Sequence, residues 1–541
     1  IMKKLKERIL FSSSFNVIVK RKFTILKDNE PYVRDAMGQI KSIIDSKFGN
    51  VNDKFKNIQK FIFLIFKKVY MVECLLFTMA KTIKRNFVYN LLLQISAVLF
   101  PIITAPYIAR VLDPDGVGIV NFVNTYASYF ALFAVLGIPT YGIREIAKRQ
   151  GNLKEMERFL SQMISIELVS TFVISLLFIG SVLWIDQLKE NALLFLLAGI
   201  SLYMTPFKIE WFFKGQEKFG YITFRSLVIR TVSILLLFVF VRTKHDLVNY
   251  VLLSLFSTIA NEFWNYLKVL KLGIRPYITF KGCKTHLKAV LVLLGSSVAI
   301  SIYVMLDTLM LGFLADYSEV GYYNSAIHLV KAVLPLATAL SAVALPRVAS
   351  FMQSNDMESV NALMQKSLNI VSFLVFPMTM GIILVAPTFV PLFFGSQFEG
   401  AILPMQVGAV LLIAIGLNNL NGIQILTGMG KDKQFLMSVT SGAVSNFILN
   451  LILIPRYGAV GAAISSVYAE VQIFLVNEYF VRRDTVIRVN HYADAAKSLI
   501  GACLFVPLCY AIGRLLEGWT FVIVAVLACS IAYMISQYVL R

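Results

Sequence analysis

From Phe87 onward the chain alternates apolar runs of roughly twenty residues with short polar breaks, and a helix rising about 1.5 Å per residue needs that length to cross a bilayer core of about 30 Å. The runs fall near 87–111, 118–141, 160–184, 191–211, 222–241, 248–268, 288–313, 322–345, 367–394, 402–427, 434–454, 459–480, 495–513 and 518–540, which predicts about fourteen transmembrane helices. In hydrocarbon every backbone N–H and C=O must be paired within its own segment or in a closed barrel. Long runs, rather than ten-residue alternation, therefore mean helices. Residues 1–80 differ: they are Lys-rich and polar up to the run Phe61 to Phe66, which is too short to span, and they predict a weakly ordered basic extension. Met79, just before Lys81-Thr82-Ile83-Lys84-Arg85, is a candidate for a later start of translation.

Loop charge tests the segmentation independently, because Lys and Arg favour the cytoplasmic side. With the amino terminus inside, the cytoplasmic loops hold Arg144, Lys148, Arg149, Lys154 and Arg158, then Lys214 and Lys218, then Lys271, Arg275, Lys281 and Lys284. Further along they hold Arg347, Lys431, Lys433, Arg482, Arg483 and Arg488, whereas outside loops carry Lys189, Arg242, Lys244, Arg456 and Arg514. The alternation holds over the whole length, which puts both termini in the cytoplasm of a cell with a bacterial-type inner membrane. Composition agrees: 57% of residues are hydrophobic, 15% are charged, and the mean hydropathy is +0.72. The net charge of +20 would raise nucleic acid as a partner of a soluble protein, but here it marks membrane orientation. Cys74, Cys283, Cys503, Cys509 and Cys529 form no C-x-x-C pair and indicate neither a disulfide framework nor a metal site. No basic start leads into an apolar stretch with a small-residue cleavage site.

The chain also repeats itself. A shift of 203 residues lays 113–162 onto 316–365 without gaps and pairs Asp113 with Asp316, Val117 with Val320, Gly118 with Gly321, Asn121 with Asn324 and Arg144 with Arg347. Ala134/Ala337, Gln150/Gln353, Asn152/Asn355, Glu155/Glu358, Leu160/Leu363 and Gln162/Gln365 complete the set. Several matches are polar, so shared greasiness does not produce them. The second and eighth spans correspond, and an even number of spans per unit gives parallel repeats about an axis along the membrane normal. A looser echo places Gly215-Gln216-Glu217-Lys218 after the fourth span as Gly428-Met429-Gly430-Lys431 follows the tenth. The organisation read from this is an extension (1–80), an amino-terminal lobe of spans one to six (81–270), a carboxy-terminal lobe of spans seven to twelve (271–481) and two appended helices (482–541). Two lobes facing each other across a cleft can open to either side in turn, the logic of a transporter.

A lone charge at mid-bilayer costs about 2.5–3.5 kcal/mol, so charges inside spans must face protein or water. Arg230 in the fifth span, Asp307 in the seventh, Lys331 in the eighth and Glu470 in the twelfth are such positions. Asp307 and Lys331 stand at similar depth on consecutive antiparallel spans, which makes an ion pair the plain reading. Arg230 has no acid in its own hairpin and is a candidate for binding an anion. Arg225, about one turn nearer the cytoplasm, either extends that basic strip or snorkels at the interface. Asn121 and Asn124 share a face of the second span, Asn418, Asn419, Asn421 and Gln424 lie in the tenth, and Asn446 and Asn450 share a face of the eleventh. These amides can bind sugar hydroxyls or hold helices together. His328 reads as a packed or hydrogen-bonded side chain, and Pro101, Pro106, Pro335 and Pro377 as helix bends or breaks.

Several stretches resemble one family. They are Lys84-Arg85-Asn86-Phe87-Val88-Tyr89-Asn90, Pro101-Ile102-Ile103-Thr104-Ala105-Pro106-Tyr107-Ile108-Ala109-Arg110-Val111-Leu112, Gly116-Val117-Gly118 and Arg144-Glu145-Ile146-Ala147. Glu210-Trp211-Phe212-Phe213-Lys214-Gly215, Asp307 and Val320-Gly321-Tyr322-Tyr323-Asn324 continue the series. Over roughly Met79 to Leu540 the chain resembles the oligosaccharide (Wzx-like) flippases of the multidrug/oligosaccharidyl-lipid/polysaccharide exporter superfamily. The resemblance implies an all-α membrane protein with two pseudo-symmetric six-helix, MATE-like lobes plus two carboxy-terminal helices. It also implies movement of an undecaprenyl-diphosphate-linked oligosaccharide to the outer leaflet for O-antigen, capsule or exopolysaccharide assembly. A basic cleft suits a diphosphate that cannot enter hydrocarbon, while the polyprenyl tail stays in lipid.

On this reading Arg230, Arg225 and Lys331 are candidates for the diphosphate, and Asp307 and Glu470 for coupling-ion or pairing roles. Asn121, Asn124, Asn418, Asn421, Gln424, Asn446 and Asn450 are polar cavity candidates. Membrane lipid, a coupling ion (H+ or Na+), and polysaccharide polymerase and chain-length proteins are the expected partners, with no cofactor, metal or nucleic acid. No G-x-x-x-x-G-K-[ST] motif provides for ATP hydrolysis, so no enzymatic activity is expected. A drug/cation antiporter of the same superfamily is the nearest alternative, and it would favour an acidic cavity. A glycosyltransferase reading of Asp113-Pro114-Asp115 has no extramembrane domain to support it. A scaffold of the assembly machinery is the alternative from another class, and charge reversal at Arg230 separates it from a flippase.

Overall fold

The computed structural model describes residues 53–354, 356–485, 487 and 492–540. Among these residues all regular structure is helical. Nine helical stretches among them are long and apolar enough to cross a membrane, and two of the nine, Val88–Val135 and Asp432–Asp484, hold 48 and 53 residues and each carry two of the predicted spans. The predicted sixth, seventh and eighth spans are helical as well, as Leu247–Lys271, Lys284–Leu314, and Tyr317–Ala332 continued by Leu334–Gln353. The helix Asp53–Val135 begins within the predicted extension, whose residues 1–52 lie outside the described residues. The predicted spans lie in one compact unit that begins at Tyr89.

The two long helices bend where the sequence demands it. Asp113 takes φ 59° and ψ 170° before Pro114, so the first span turns into the second there. Gly458 takes φ 51° and ψ −128°, a conformation open mainly to glycine, between the eleventh and twelfth spans. The next N–H, of Ala459, donates to Glu319 Oε2 at 2.6 Å, so an acid at the start of the eighth span caps the twelfth. Among the four prolines, Pro335 marks a break, at the second residue of Leu334–Gln353, where its missing N–H is not needed. Pro101, Pro106 and Pro377 lie inside continuous helices. The fourth span is in pieces: Ala192–Tyr203, a 3₁₀ turn Thr205–Phe207 around Pro206, and Glu210–Gly215. The tenth ends in a π-helix, Asn419–Thr427.

Lipid, not water, is the solvent of the outer faces. On the third span (Leu153–Trp184), Val169, Phe172, Val173, Leu176 and Leu177 are exposed, while Met163, Ile164, Glu167, Thr171 and Phe178 are buried. The polar side chains of this stretch turn inward among apolar ones and the outward face is wholly greasy, the reverse of a soluble helix.

The repeat has a physical meeting point. A Cβ built on Gly118 would lie 1.7 Å from the Tyr317 carbonyl oxygen, and one built on Gly321 would lie 2.2 Å from the Pro114 carbonyl oxygen. The 203-residue shift carries Gly118 to Gly321 and Pro114 to Tyr317. The contact is therefore reciprocal, as a pseudo-two-fold axis between the second and eighth spans requires.

Between the sixth and seventh spans the chain runs extended along the third. Arg275 N–H donates to Glu157 Oε2 (3.1 Å), Tyr277 N–H to Ser161 Oγ (3.1 Å) and Thr279 N–H to Ser165 Oγ (2.8 Å). Two extended residues advance about 6.6 Å and four helical residues about 6 Å, so alternate N–H groups meet acceptors spaced four apart. Gln162 Nε2 donates to the Lys281 carbonyl at 2.9 Å and closes the strap. Ser161→Ala with Ser165→Ala orphans two N–H groups at about 1–3 kcal/mol each, so the double variant is expected to unfold at a clearly lower temperature in detergent than either single one. An unchanged melting temperature would count against the strap.

Candidate functional site

Where the first, second, sixth and eighth spans come together they leave a cavity of about 440 Å³. Pro101, Asn121, Tyr250, Asn324, His328 and Lys331 are among its lining residues. Most of the rest are apolar, and no carboxylate is among them. Lys331 and His328 are exposed to this space rather than packed away. His328 thus departs from the packed side chain expected for it. It stands three residues before Lys331, on the same helical face, so the cavity wall presents an ammonium and an imidazole together. Asn121 and Asn324, equivalent under the repeat, both line it.

The other two basic candidates lie elsewhere. Arg230 is half-buried and donates to Ser96 Oγ at 2.5 Å and to the Leu93 carbonyl at 3.5 Å, on the first span. It forms no ion pair among the described residues and is not among the residues lining the cavity, although Ala97, next to its partner Ser96, is. Arg225 neither extends a basic strip nor snorkels. It is 1% exposed, pairs with Glu210 Oε2 at 2.5 Å and donates to Asn265 Oδ1. Glu210 belongs to the short helix after the broken fourth span and also takes Lys214 Nζ at 2.9 Å. A fully buried, paired guanidinium cannot bind substrate in this arrangement.

Asp307 sits in a cage. Its Oδ2 accepts from Tyr323 Oη at 2.5 Å and from Ser466 Oγ, and its Oδ1 accepts from Asn446 Nδ2 at 3.1 Å and Asn450 Nδ2 at 2.8 Å. The seventh, eighth, eleventh and twelfth spans thus each supply a group. The ion pair expected with Lys331 does not form, because Tyr323, eight residues earlier on that helix, is the side chain that reaches Asp307, while Lys331 lies about 12 Å further along and faces the cavity. No cation lies within ion-pair distance of Asp307 among the described residues. The Oδ1 of Asn450, beside it, is buried without a donor.

Most amides prove to be helix contacts. Asn418 Nδ2 donates to Glu470 Oε2 at 2.6 Å and Asn421 Nδ2 to Glu478 Oε2 at 2.9 Å, which ties the tenth span to the twelfth. Gln424 is fully buried in the π-helical turn, and Asn446 and Asn450 serve Asp307. Asn124 is half-buried and outside the cavity lining.

Glu167, Lys208, Glu210 and Glu262 are charges that the apolar pattern alone does not bring forward. Glu167 is detectable as a lone acid fourteen residues into an apolar helix. Lys208 and Glu210 fall at the end of the predicted fourth span, and the break there turns them towards buried helices in a way that a continuous helix does not predict.

Residues 83–352 match the family described as polysaccharide biosynthesis protein. The chain belongs to that family. An Escherichia coli (strain K12) protein named as an O-antigen transporter is 25% identical over 417 residues, 74% of this chain and 97% of that one. A Haloferax volcanii protein named as a low-salt glycan biosynthesis flippase is 22% identical and covers 62% of this chain and 71% of its own length. Among solved structures, the lipid II flippase MurJ in an inward closed conformation aligns with a TM-score of 0.70 at 16% identity, over 84% of this chain and 98% of that one. An inward-facing MATE family multidrug transporter of the MOP superfamily aligns at 0.57 and 15% identity, over 71% and 94%. The family member is thus an all-α, multi-pass membrane protein with the two-lobed fold of these transporters.

Proposed function

We propose that the chain is a flippase that moves an undecaprenyl-diphosphate-linked oligosaccharide from the inner to the outer leaflet of the bacterial cytoplasmic membrane by alternating access, with both termini in the cytoplasm. The observation that carries the reading is the cavity between helices related by the repeat, with Lys331 and His328 on its wall and no acid among its lining residues. An anionic head group is stabilised there, whereas a cationic drug would meet its own charge. The relatives named as O-antigen transporter and glycan flippase support the same substrate class. Lys331 is the residue proposed to hold the diphosphate, with Arg230 of the fifth span, hydrogen-bonded to Ser96 on the first, as a second contact when the lobes move. Asp307 is proposed as the coupling-ion site. It is a buried carboxylate with four donors, no counter-cation among the described residues and the bare Asn450 Oδ1 beside it, and an arriving H+ or Na+ would neutralise it.

Lys331→Glu replaces a charge-assisted contact worth about 1.5–3 kcal/mol with repulsion, so polysaccharide display in a complemented deletion strain is expected to fall by about tenfold or more with unchanged membrane abundance. Normal display by Lys331→Glu would remove this reading and favour a scaffold.

A further inference from the structure

The third span carries a second buried acid on helices that take no part in the Asp307 cage. Glu167 is 1% exposed, and its Oε2 has no hydrogen-bond partner among the described residues. The 3₁₀ turn Thr205–Phe207 in the break of the fourth span packs against both the third and the sixth spans. This turn brings Lys208 and, from the sixth span, Glu262 close enough to act electrostatically on Glu167. No ion pair joins any of the three. Glu262 Oε2 takes a hydrogen bond from Asn265 Nδ2 at 3.0 Å, and Asn265 Oδ1 in turn takes Arg225, itself committed to Glu210. The charge on Glu262 is therefore served, and that on Glu167 is not.

A carboxylate so deep with one oxygen bare is strongly disfavoured unless something neutralises it. The least demanding neutraliser is a proton on Oε2, since a metal ion would need several oxygens at once. Thr171 Oγ1 and Ser175 Oγ, four and eight residues on along the same face, and Thr205 Oγ1 and Asn261 Oδ1 are also buried without partners. Orphan polar atoms along one helix face are what a file of water satisfies, and Thr171 and Ser175 carry that face from Glu167 towards the Trp184 end of the third span.

We propose that Glu167 is a proton-binding site of the amino-terminal helices, loaded through the polar face of the third span and balanced by Lys208 when the proton leaves. On binding, a proton from water forms the O–H bond at Oε2 and the carboxylate becomes a neutral acid. On release, the negative charge is left facing the Lys208 ammonium. This site would give a flippase a titratable group on the opposite half of the repeat from Asp307, but it binds its proton whether or not the chain transports anything.

The full chain in lipid nanodiscs, without substrate, is stepped from acid to alkaline buffer while infrared difference spectra follow the carbonyl stretch of neutral carboxylic acids. In the Asp307→Asn background, which removes the other buried carboxyl given an ion-binding role, the parent is expected to show a band that titrates, Glu167→Gln to lose it, and Lys208→Met to shift its midpoint to more alkaline pH. The Lys208→Met arm tests the site with Glu167 in place, so it stands even if Glu167→Gln does not fold. A band that survives in Glu167→Gln, or a midpoint unmoved by Lys208→Met, would overturn the proposal. Loss of the band when sodium chloride replaces choline chloride at constant pH would overturn it as well, by making the site one for a cation.

Discussion

Asp307→Ala is expected to leave no detectable folded protein in the membrane, whereas Asp307→Asn accumulates and fails to transport. The alanine removes the acceptor of four donors, Tyr323 Oη, Ser466 Oγ, Asn446 Nδ2 and Asn450 Nδ2, all buried. Tyr323 Oη and Ser466 Oγ still reach each other at 3.1 Å and Asn450 Nδ2 still reaches Asn446 Oδ1 at 3.2 Å, so at about 1–3 kcal/mol for each donor left bare, together with the cavity, the loss is several kcal/mol against a typical whole stability of about 5–15 kcal/mol. The asparagine keeps an acceptor oxygen and the side-chain volume but deletes the charge. Fluorescence-detected size exclusion of the two variants, beside polysaccharide display in cells, separates the effects. Wild-type display by Asp307→Asn would show that the charge has no part in coupling.

Gly118→Ala and Gly321→Ala are expected to fail alike. Their Cβ atoms would lie 1.7 Å and 2.2 Å from backbone carbonyl oxygens, distances that no rotamer change relieves. The second and eighth spans would have to move apart at that crossing, opening a gap lined by the Val120, Phe122 and Val123 cluster. Because the contact is reciprocal, the two substitutions strain the same place from opposite sides. Each should lower the melting temperature by several degrees, and the pair should be much less than additive, since one separation relieves both clashes. Full additivity would mean that the two glycines sit in independent environments.

The fold was legible because its signals are long and redundant. Twenty-residue apolar runs, loop charge and a polar repeat all point to the same helices, and each predicted span falls on helix. The site was legible only in part. Lys331 could be placed because an eighth-span cation has nowhere to go except inward, and it lines the cavity. Arg225 is misread from sequence since its partner Glu210 stands at the end of the predicted fourth span, where an unbroken helix gives no reason for it to reach the fifth. Only the break at Thr205–Phe207 carries that acid back beside the fifth span. The amides are ambiguous in kind: whether Asn418 faces a sugar or Glu470 depends on helix rotation, which short polar patterns do not fix.

Transbilayer movement of a lipid-linked oligosaccharide through the Lys331 cavity is tested most directly with the purified chain in liposomes. These carry an undecaprenyl-diphosphate oligosaccharide with a fluorescent sugar, and quenching by a membrane-impermeant reductant is followed. Wild-type protein is predicted to make the inner-leaflet label reachable, while the Lys331→Glu variant leaves it protected. Equal protection in wild-type and protein-free liposomes, under an imposed proton or sodium gradient, would contradict it.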